Sequence, residues 1–160
     1  MLLGELLHEG VIVTNLKASN KFEAIEELLD TLVSAHEISM TTRDDVYNSI
    51  WKREDSMTTG MEHGVAVPHG TTDKVEDVVA ALGISPNGIP YDTLDGLPAR
   101  LILLLVLPRR NFHGHVRTMA GIAHLLANAT LRDQLKKAST ADHVIKLIET
   151  EEDKSGLHGK

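Results

Sequence analysis

Apolar residues recur at helical spacing in the first third of the chain. The spacing i, i+3, i+6, i+7 predicts a helix that Asn20 caps and that runs to about His36. Its predicted buried stripe consists of Phe22, Ile25, Leu28, Leu29, Leu32 and Val33. Thr42 is expected to cap a second helix, from Arg43 to about Glu54. The residues expected to face inward in this second helix are Val46, Ile50 and Trp51.

Four short apolar segments predict strands. They are residues 11–13, 65–67, 78–85 and 101–107. Pro68 is expected to end the second of these strands, so that Pro68, His69 and Gly70 form a turn. Turn signals at residues 86–88 follow the third strand. The last segment contains no polar residue, which is typical of a central strand that is covered on both faces.

Three more helices are predicted in the last third of the chain, at His115 to about Ala127, Thr130–Lys136 and Thr140–Glu149. The residues expected inward on the first of them are Val116, Met119, Ala120, Ala123 and Leu126. Residues 1–150 are expected to form one domain, followed by a flexible charged tail at residues 151–160. The order of elements predicts the α/β class (α+β in some schemes), as a three-layer αβα sandwich with a central mixed β-sheet.

Composition narrows the classes of function. Aromatic residues make up only 3% of the 160 residues, so aliphatic side chains and alanine must fill the core. The net charge of −7, without a basic cluster, argues against a nucleic-acid partner. The absence of cysteine excludes disulfides and thiolate metal sites. No signal peptide is recognised at the N-terminus, and the run Leu101–Pro108 is too short to cross a bilayer, so we expect a cytoplasmic protein without direct membrane insertion.

Three segments carry candidate chemistry. His69 follows a strand directly, which presents one imidazole at a strand end, although an ordinary exposed turn has the same pattern. The pair His113 and His115 stands near a predicted helix N-terminus, which can receive an anion. Arg53 offers a planar fork of donors that suits phosphate, but alone it is better explained as a basic residue at a helix end before a flexible turn.

Histidine chemistry fits these segments better than nucleotide chemistry does. The chain has no G-x-x-x-x-G-K-[ST] loop and no G-x-G-x-x-G fingerprint. A neutral imidazole is nucleophilic near pH 7, and its phosphoramidate is labile enough to pass the phosphoryl group on. Apolar residues flank His69 and can form a docking surface for a partner; they are Met57, Met61, Val65 and Val67. The phosphoryl donor is therefore better sought in another molecule than in bound ATP.

The segment from Arg53 to Gly70 resembles a known family signature. Arg53-Glu54, Thr58-Thr59-Gly60 and Gly64-Val65-Ala66-Val67-Pro68-His69-Gly70 are similar to the active-site segment of EIIA domains of the fructose–mannitol type. These domains belong to the bacterial phosphoenolpyruvate-dependent sugar phosphotransferase system and include the nitrogen-regulatory EIIA branch. The likeness extends over about 130 residues, roughly from Leu7 to Glu149.

The resemblance implies a role for each matching residue. His69 matches the phosphorylated histidine, with Nε2 as the expected nitrogen, and His115 matches a second histidine that supports the phosphate or the partner. Arg53 matches the arginine that stabilises the phosphate. Three further positions are binding candidates on the same basis, namely Thr58, Thr59 and Gly70. Thr71 departs from the family, which often has a basic residue there, and Val116 replaces a common leucine.

The resemblance also implies partners. An HPr-like phosphocarrier is the expected donor and an EIIB protein or domain the expected acceptor, with no cofactor and no metal. In the alternative interpretation, the chain is a nitrogen-type regulatory EIIA whose phosphorylation state controls partner proteins. A separately encoded sugar EIIA has the same chain architecture, so both interpretations stay open. A metal hydrolase and a degenerate binding module are weaker alternatives; the metal hydrolase would use His63, His69, His113 and His115.

Overall fold

A computed structural model describes residues 2–110 and 112–156. The helices are α1 (Leu3–Leu6), α2 (Lys21–Ser34), α3 (Met40–Ser56), α4 (Phe112–Leu126), α5 (Ala129–Lys137) and α6 (Ala141–Lys154), with a 3₁₀ turn at Glu9–Val11. The strands are β1 (Ile12–Val13), β2 (Val65–Ala66), β3 (His69–Thr72), β4 (Val79–Ile89) and β5 (Ala99–Pro108). In the described ranges, no helix combines the length and the apolar content that crossing a membrane requires.

The strands form one mixed sheet, as predicted. Its order is β1-β4-β5-β2, and β3 also pairs with β5. The β4–β5 pair is antiparallel, whereas the pairs β1–β4, β2–β5 and β3–β5 are parallel. All but one of the residues of β5 are buried, which confirms the prediction of a covered central strand.

The prediction that Pro68, His69 and Gly70 form a turn was wrong, although β2 does end before Pro68, as predicted. Val65 lies opposite Leu101 and His69 lies opposite Leu105, so β2 and β3 are two parts of one segment in a single register. The carbonyl of Pro68 continues the ladder by accepting from the Leu105 N–H at 3.0 Å. The position of the missing N–H faces the same side as this carbonyl, so one ladder bond to β5 is absent in the gap between β2 and β3. His69 therefore lies at the start of a strand and not in a turn.

Helices cover both faces of the sheet. Alternation along β3 directs Gly70 toward Ile50 and Ser49 of α3, and α2 packs against α3 and the sheet on that side. His69 points to the opposite face, where α4 and α5 pack against β5. The third helix of that layer, α6, packs on α5 and on α1. This arrangement is the predicted three-layer αβα sandwich.

Two predictions for the first helices need correction. Asn20 caps α2 as predicted, with its side chain accepting from the Glu23 N–H. Phe22, however, is 59% exposed and stacks on Trp51 with ring centroids 4.5 Å apart, so it does not face the core. Ser39 caps α3 instead of Thr42, because the Ser39 hydroxyl accepts from the Thr42 N–H at 3.2 Å.

Residues 86–88 lie inside β4 and do not form a turn that ends it. The pairing with β5 shifts between Ile84 and Ile89, which marks an irregularity in the ladder. Gly88 has φ of +83° there, a conformation that glycine adopts without steric cost. The turn residues of the sequence therefore distort this strand without terminating it.

The predicted inward face of α4 was confirmed only in part, since Leu126 is buried and Met119 packs half-buried against the core. The helix begins at Phe112, and the buried residues among its described side chains are Thr118, Ile122, Leu125 and Leu126. Val116 is 48% exposed, and Ala120 and Ala123 are exposed too.

The predicted tail starts too early. The last helix, α6, continues to Lys154, and Glu152 is buried, with its carboxylate accepting from the Gly4 N–H at 3.2 Å. The prediction of a flexible segment at residues 157–160 lies outside the described residues.

Candidate functional site

His69 is held in one tautomer by its own strand. Its Nδ1 lies 3.0 Å from the carbonyl oxygen of Val67. A carbonyl only accepts, so Nδ1 carries the proton and Nε2 keeps its lone pair. Burial lowers the pKa of His69, and the positive charge of Arg53 lowers that pKa further, against opposing effects of Val67 and Glu54. The imidazole is therefore neutral at pH 7, with Nε2 available as the nucleophile.

A largely apolar cavity of about 280 Å³ opens beside His69. Its lining comes from α3, β3, β5, α4 and the segments between elements. The residues are Arg53, Met57, Thr58, Thr59, Gly60, Met61, Val67, His69, Leu94, Leu105, Met119, Ile122 and Ala123. A second cavity of about 330 Å³ shares four of these residues, so the two form a continuous groove. Two of the α4 residues that were expected in the core, Met119 and Ala123, thus form the groove wall.

Arg53 and His69 face the same cavity. Arg53 lies in the last turn of α3, half-buried, and its Nη1 donates to the Met57 carbonyl at 2.7 Å. This bond uses one arm of the guanidinium and holds it at the cavity wall. The arrangement puts a permanent positive charge next to the imidazole, which suits an anion bound on Nε2.

His115 lies in the first turn of α4 and is half-buried. Met119, which lines the cavity, follows it by one helical turn, so the two side chains share a face of α4. His113 is exposed on the same helix. In the described part of the chain, no group of three or more histidine, aspartate or glutamate side chains is arranged to hold a metal ion.

Thr59 and Gly70 have structural partners. The Thr59 hydroxyl donates to the Glu54 carboxylate, and its backbone N–H donates to the same carboxylate at 2.6 Å. The predicted phosphate contact through this hydroxyl therefore competes with a buried carboxylate. At Gly70, a Cβ atom would lie 2.9 Å from the backbone nitrogen of Ile50, so glycine allows α3 to approach the sheet.

A buried polar cluster under the cavity wall was not predicted. The Glu54 carboxylate is buried; besides Thr59, it accepts from the Tyr91 hydroxyl at 3.1 Å and from the Lys21 ammonium at 3.4 Å. Lys21 also donates to the Thr58 hydroxyl at 3.4 Å. Burial raises the pKa of the Tyr91 phenol well above its ordinary value. The only sequence signal was the position of Glu54 in the Arg53-Glu54 motif, because Lys21 and Tyr91 are distant in sequence.

The family model "Phosphoenolpyruvate-dependent sugar phosphotransferase system, EIIA 2" matches residues 5–151. The chain is 30% identical over 126 residues to the fructose-specific EIIA component of Haloferax volcanii, with 79% of this chain and 80% of that protein covered. It is 27% identical to a nitrogen regulatory protein of Bradyrhizobium diazoefficiens, over 92% of this chain and 95% of that protein. A fructose-specific EIIABC component of Bacillus subtilis is 30% identical over 92% of this chain, which spans only 23% of that longer protein.

Solved structures agree with this assignment. The nitrogen regulatory protein IIA-Ntr of Neisseria meningitidis superposes with a TM-score of 0.82 at 27% identity, covering 91% of this chain and 98% of that one. The complex of IIA-mannitol and phosphorylated IIB-mannitol of Escherichia coli shares the fold, with a TM-score of 0.76 at 22% identity over 94% of this chain and 99% of that one. Sequence and fold together show that the chain belongs to the EIIA type-2 family of the phosphoenolpyruvate-dependent sugar phosphotransferase system.

Proposed function

We propose that this chain is a cytoplasmic phosphocarrier that holds a phosphoryl group on Nε2 of His69. Membership of the family supports a role in phosphoryl transfer. The observation that carries the proposal is the hydrogen bond from Nδ1 to the Val67 carbonyl, which leaves the Nε2 lone pair unprotonated beside Arg53. In this proposal an HPr-like phosphocarrier is the donor and an EIIB protein is the acceptor. The IIA–IIB mannitol complex supports the acceptor by analogy.

The transfer needs no metal and no change of proton at Nδ1. The Nε2 lone pair of His69 attacks phosphorus, and the bond from phosphorus to the donor's histidine breaks, returning its electron pair to that imidazole. Charge spreads over the equatorial oxygens during the transfer, where the Arg53 guanidinium stabilises it. The next partner reverses the process by attacking the same phosphorus. The neutral state of His69 makes it a good acceptor at pH 7.

The other predicted site residues either support the phosphate or position the backbone around it. His115 supports the phosphate or the partner from the groove side of α4. Thr58 is a candidate donor to the phosphate because its hydroxyl oxygen accepts from Gly60 and Lys21 and its proton can point to the cavity. Thr59 and Gly70 act by positioning the loop and the strand, through Glu54 and α3 respectively.

Incubation with phosphoenolpyruvate, Enzyme I and HPr, followed by intact mass measurement, tests the proposal. One acid-labile phosphoryl group is expected on the chain. His69→Ala is expected to abolish labelling, whereas His143→Ala, an exposed histidine on α6, is expected to leave it unchanged. Undiminished labelling of the His69→Ala protein would overturn the proposal.

A regulatory role is the second candidate function. The observation that favours it is the match to nitrogen regulatory proteins over nearly their full length, including the Neisseria structure. In this case the phosphorylated and unphosphorylated forms bind different target proteins. Phosphotransfer from the labelled chain to an EIIB encoded in the same genome separates the two functions. Efficient transfer favours the sugar pathway, and labelling without transfer to any EIIB favours the regulatory one.

A further inference from the structure

Sulfur is concentrated at the site cavity. The chain has no cysteine and five methionines, and three of these, Met57, Met61 and Met119, line the cavity with His69. We call these three the methionine rim. Met57 and Met61 are 66% and 40% exposed, and Met119 is half-buried. In a chain without thiols, exposed thioethers are the side chains that mild oxidants attack most readily.

The rim faces an apolar surface that a partner has to cover. The rest of the wall near it is formed by aliphatic side chains such as Val67, Leu94 and Ile122. Unbranched, polarisable methionines adapt their shape, which suits a surface that receives more than one partner. The same side chains become polar when they are oxidised, so their position makes docking sensitive to oxidation.

We propose that the methionine rim is a reversible oxidation site that controls the docking of phosphotransfer partners; this inference rests on the proposed function. A rim sulfur lone pair attacks one oxygen of a peroxide, the O–O bond breaks, and a sulfoxide and water form. Sulfur loses two electrons and the peroxide gains them. A methionine sulfoxide reductase returns two electrons to sulfur, and with two protons the oxygen leaves as water, which restores the thioether.

The effect falls on docking and not on the chemical step. When the partner docks, a sulfoxide oxygen on the rim loses its hydrogen bonds to water. The apolar contact surface offers no donor to replace them, so the complex is weaker. We expect the concentration of phospho-HPr that gives half-maximal rate to rise about tenfold. The rate at saturating phospho-HPr changes little, because oxidation leaves the nitrogen of His69 and the guanidinium of Arg53 intact.

Met40 provides an internal control. It is the first residue of α3 and is 69% exposed, so peroxide reaches it at least as easily as Met57. It does not line the cavity. Oxidation of Met40 is therefore expected to occur without any effect on phosphotransfer.

The test uses the full chain treated with hydrogen peroxide. Peptide mass mapping identifies the oxidised methionines, and phosphotransfer from phospho-HPr is measured over a range of its concentrations before and after treatment. Three single variants are made, Met40→Leu, Met57→Leu and Met61→Leu. A triple variant replaces all three methionines of the rim by leucine. Each variant is compared only with its own untreated form, so differences in basal rate or stability do not enter.

The expected result is a rise in KM for oxidised wild type and Met40→Leu, reversal by methionine sulfoxide reductase, and resistance of the triple variant. In the single rim variants, oxidation is expected to raise KM less than in the wild type. These variants provide the test if the triple variant fails to fold. An unchanged KM in a protein shown to be oxidised at Met57 and Met61 overturns the inference while leaving the proposed function intact. An untreated protein that accepts no phosphoryl group overturns both.

Discussion

Thr59 donates to Glu54 twice, through its backbone N–H at 2.6 Å and through its hydroxyl. This relationship fixes the loop that follows α3, because Glu54 belongs to the helix and Thr59 to the cavity wall. Met57, whose carbonyl holds Arg53, lies between the two. A buried carboxylate therefore determines where the guanidinium stands relative to His69.

Replacing Glu54 by glutamine tests this arrangement. The two donors of Thr59 bond different oxygens of the carboxylate, and in glutamine one of these oxygens becomes an NH2 group that cannot accept; Lys21 also loses its anionic partner. We expect Glu54→Gln to lower the free energy of unfolding by about 2 kcal/mol and to slow phosphotransfer. The neighbouring exposed Asp55 provides the matched control, since Asp55→Asn is expected to change stability by less than about 0.5 kcal/mol. Chemical denaturation of both variants measures the difference, and equal stabilities would show that Glu54 does not hold the loop.

Gly70→Ala is expected to destabilise the protein by about 1–3 kcal/mol. The added Cβ atom would lie 2.9 Å from the backbone nitrogen of Ile50, so α3 has to move away from the sheet. Gly121 of α4 provides the opposite case, because its Cβ atom would meet no atom within 4 Å. Gly121→Ala is expected to stabilise the helix by up to about 1 kcal/mol. Thermal denaturation of the two variants checks the pair, and a loss of stability at both positions would contradict the role of the close approach.

Much of this architecture could be predicted from the sequence, and the errors have physical causes. The apolar stripe of α2 and the apolar run of β5 were predicted well because both patterns follow from which side chains are buried. Pro68 does mark the end of β2, but this local signal could not show that the chain continues as β3 in the same register with β5. Ala123 was assigned to the core because apolar residues that line a groove look the same in sequence as apolar residues in a core.

The site was predictable only as far as its motif extends. His69 and Arg53 lie close in sequence within a recognisable segment, and the structure places both on one cavity. The contacts of Glu54 with Lys21 and Tyr91 join residues far apart in sequence, and no local pattern encodes them. The Thr59 hydroxyl points to Glu54 because of that cluster. The sequence does not reveal the cluster, so a phosphate contact was expected of this hydroxyl instead.

The pH dependence of labelling follows from the lowered pKa of His69. Burial and the charge of Arg53 disfavour the imidazolium, so the nucleophile stays neutral below the ordinary pKa of about 6.5. Labelling is expected to persist under mildly acidic conditions and to fall once the pH passes below the lowered pKa. Because the pKa is lowered, the folded state binds the imidazole proton less tightly than the unfolded state does. The stability that His69 contributes is therefore present above about pH 6.5 and is lost as the pH falls from there through the lowered pKa. An NMR titration of His69 checks the direction, and a midpoint above 6.5 would contradict it.

His115→Ala is expected to slow phosphotransfer by about 100-fold or more while still permitting labelling, because removing one hydrogen-bond donor from a transition state costs about 3 kcal/mol. Nothing in the role proposed for His115 requires it to carry the phosphoryl group. Rapid-quench measurement of transfer into and out of the chain checks this. His124→Ala, an exposed histidine further along α4, is the control and is expected to transfer normally. Wild-type rates for His115→Ala in both directions would remove His115 from the site.

Arg53→Lys keeps the positive charge and removes the planar fork, which is not a conservative change where a phosphate is held. In the unphosphorylated protein, one arm of the guanidinium bonds the Met57 carbonyl at 2.7 Å. A second arm remains to meet the phosphate oxygens, and a lysine ammonium lacks the geometry to serve both at once. We therefore expect slower phosphotransfer in Arg53→Lys and a larger loss in Arg53→Ala, measured by time-resolved labelling from phospho-HPr.

The melting temperatures of the same variants show whether Arg53 stabilises the phosphate or the end of α3. Arg53 is half-buried at a helix end, so its replacement is expected to leave stability within about 1 kcal/mol of the wild type. The exposed neighbour Lys52 is the matched control, and Lys52→Ala is expected to retain both stability and phosphotransfer. Arg53→Ala should also raise the pKa of His69, because the charge that lowers it is gone. If Arg53→Ala transfers at the normal rate, or loses activity only in proportion to unfolding, the guanidinium serves the end of α3 and not the phosphate.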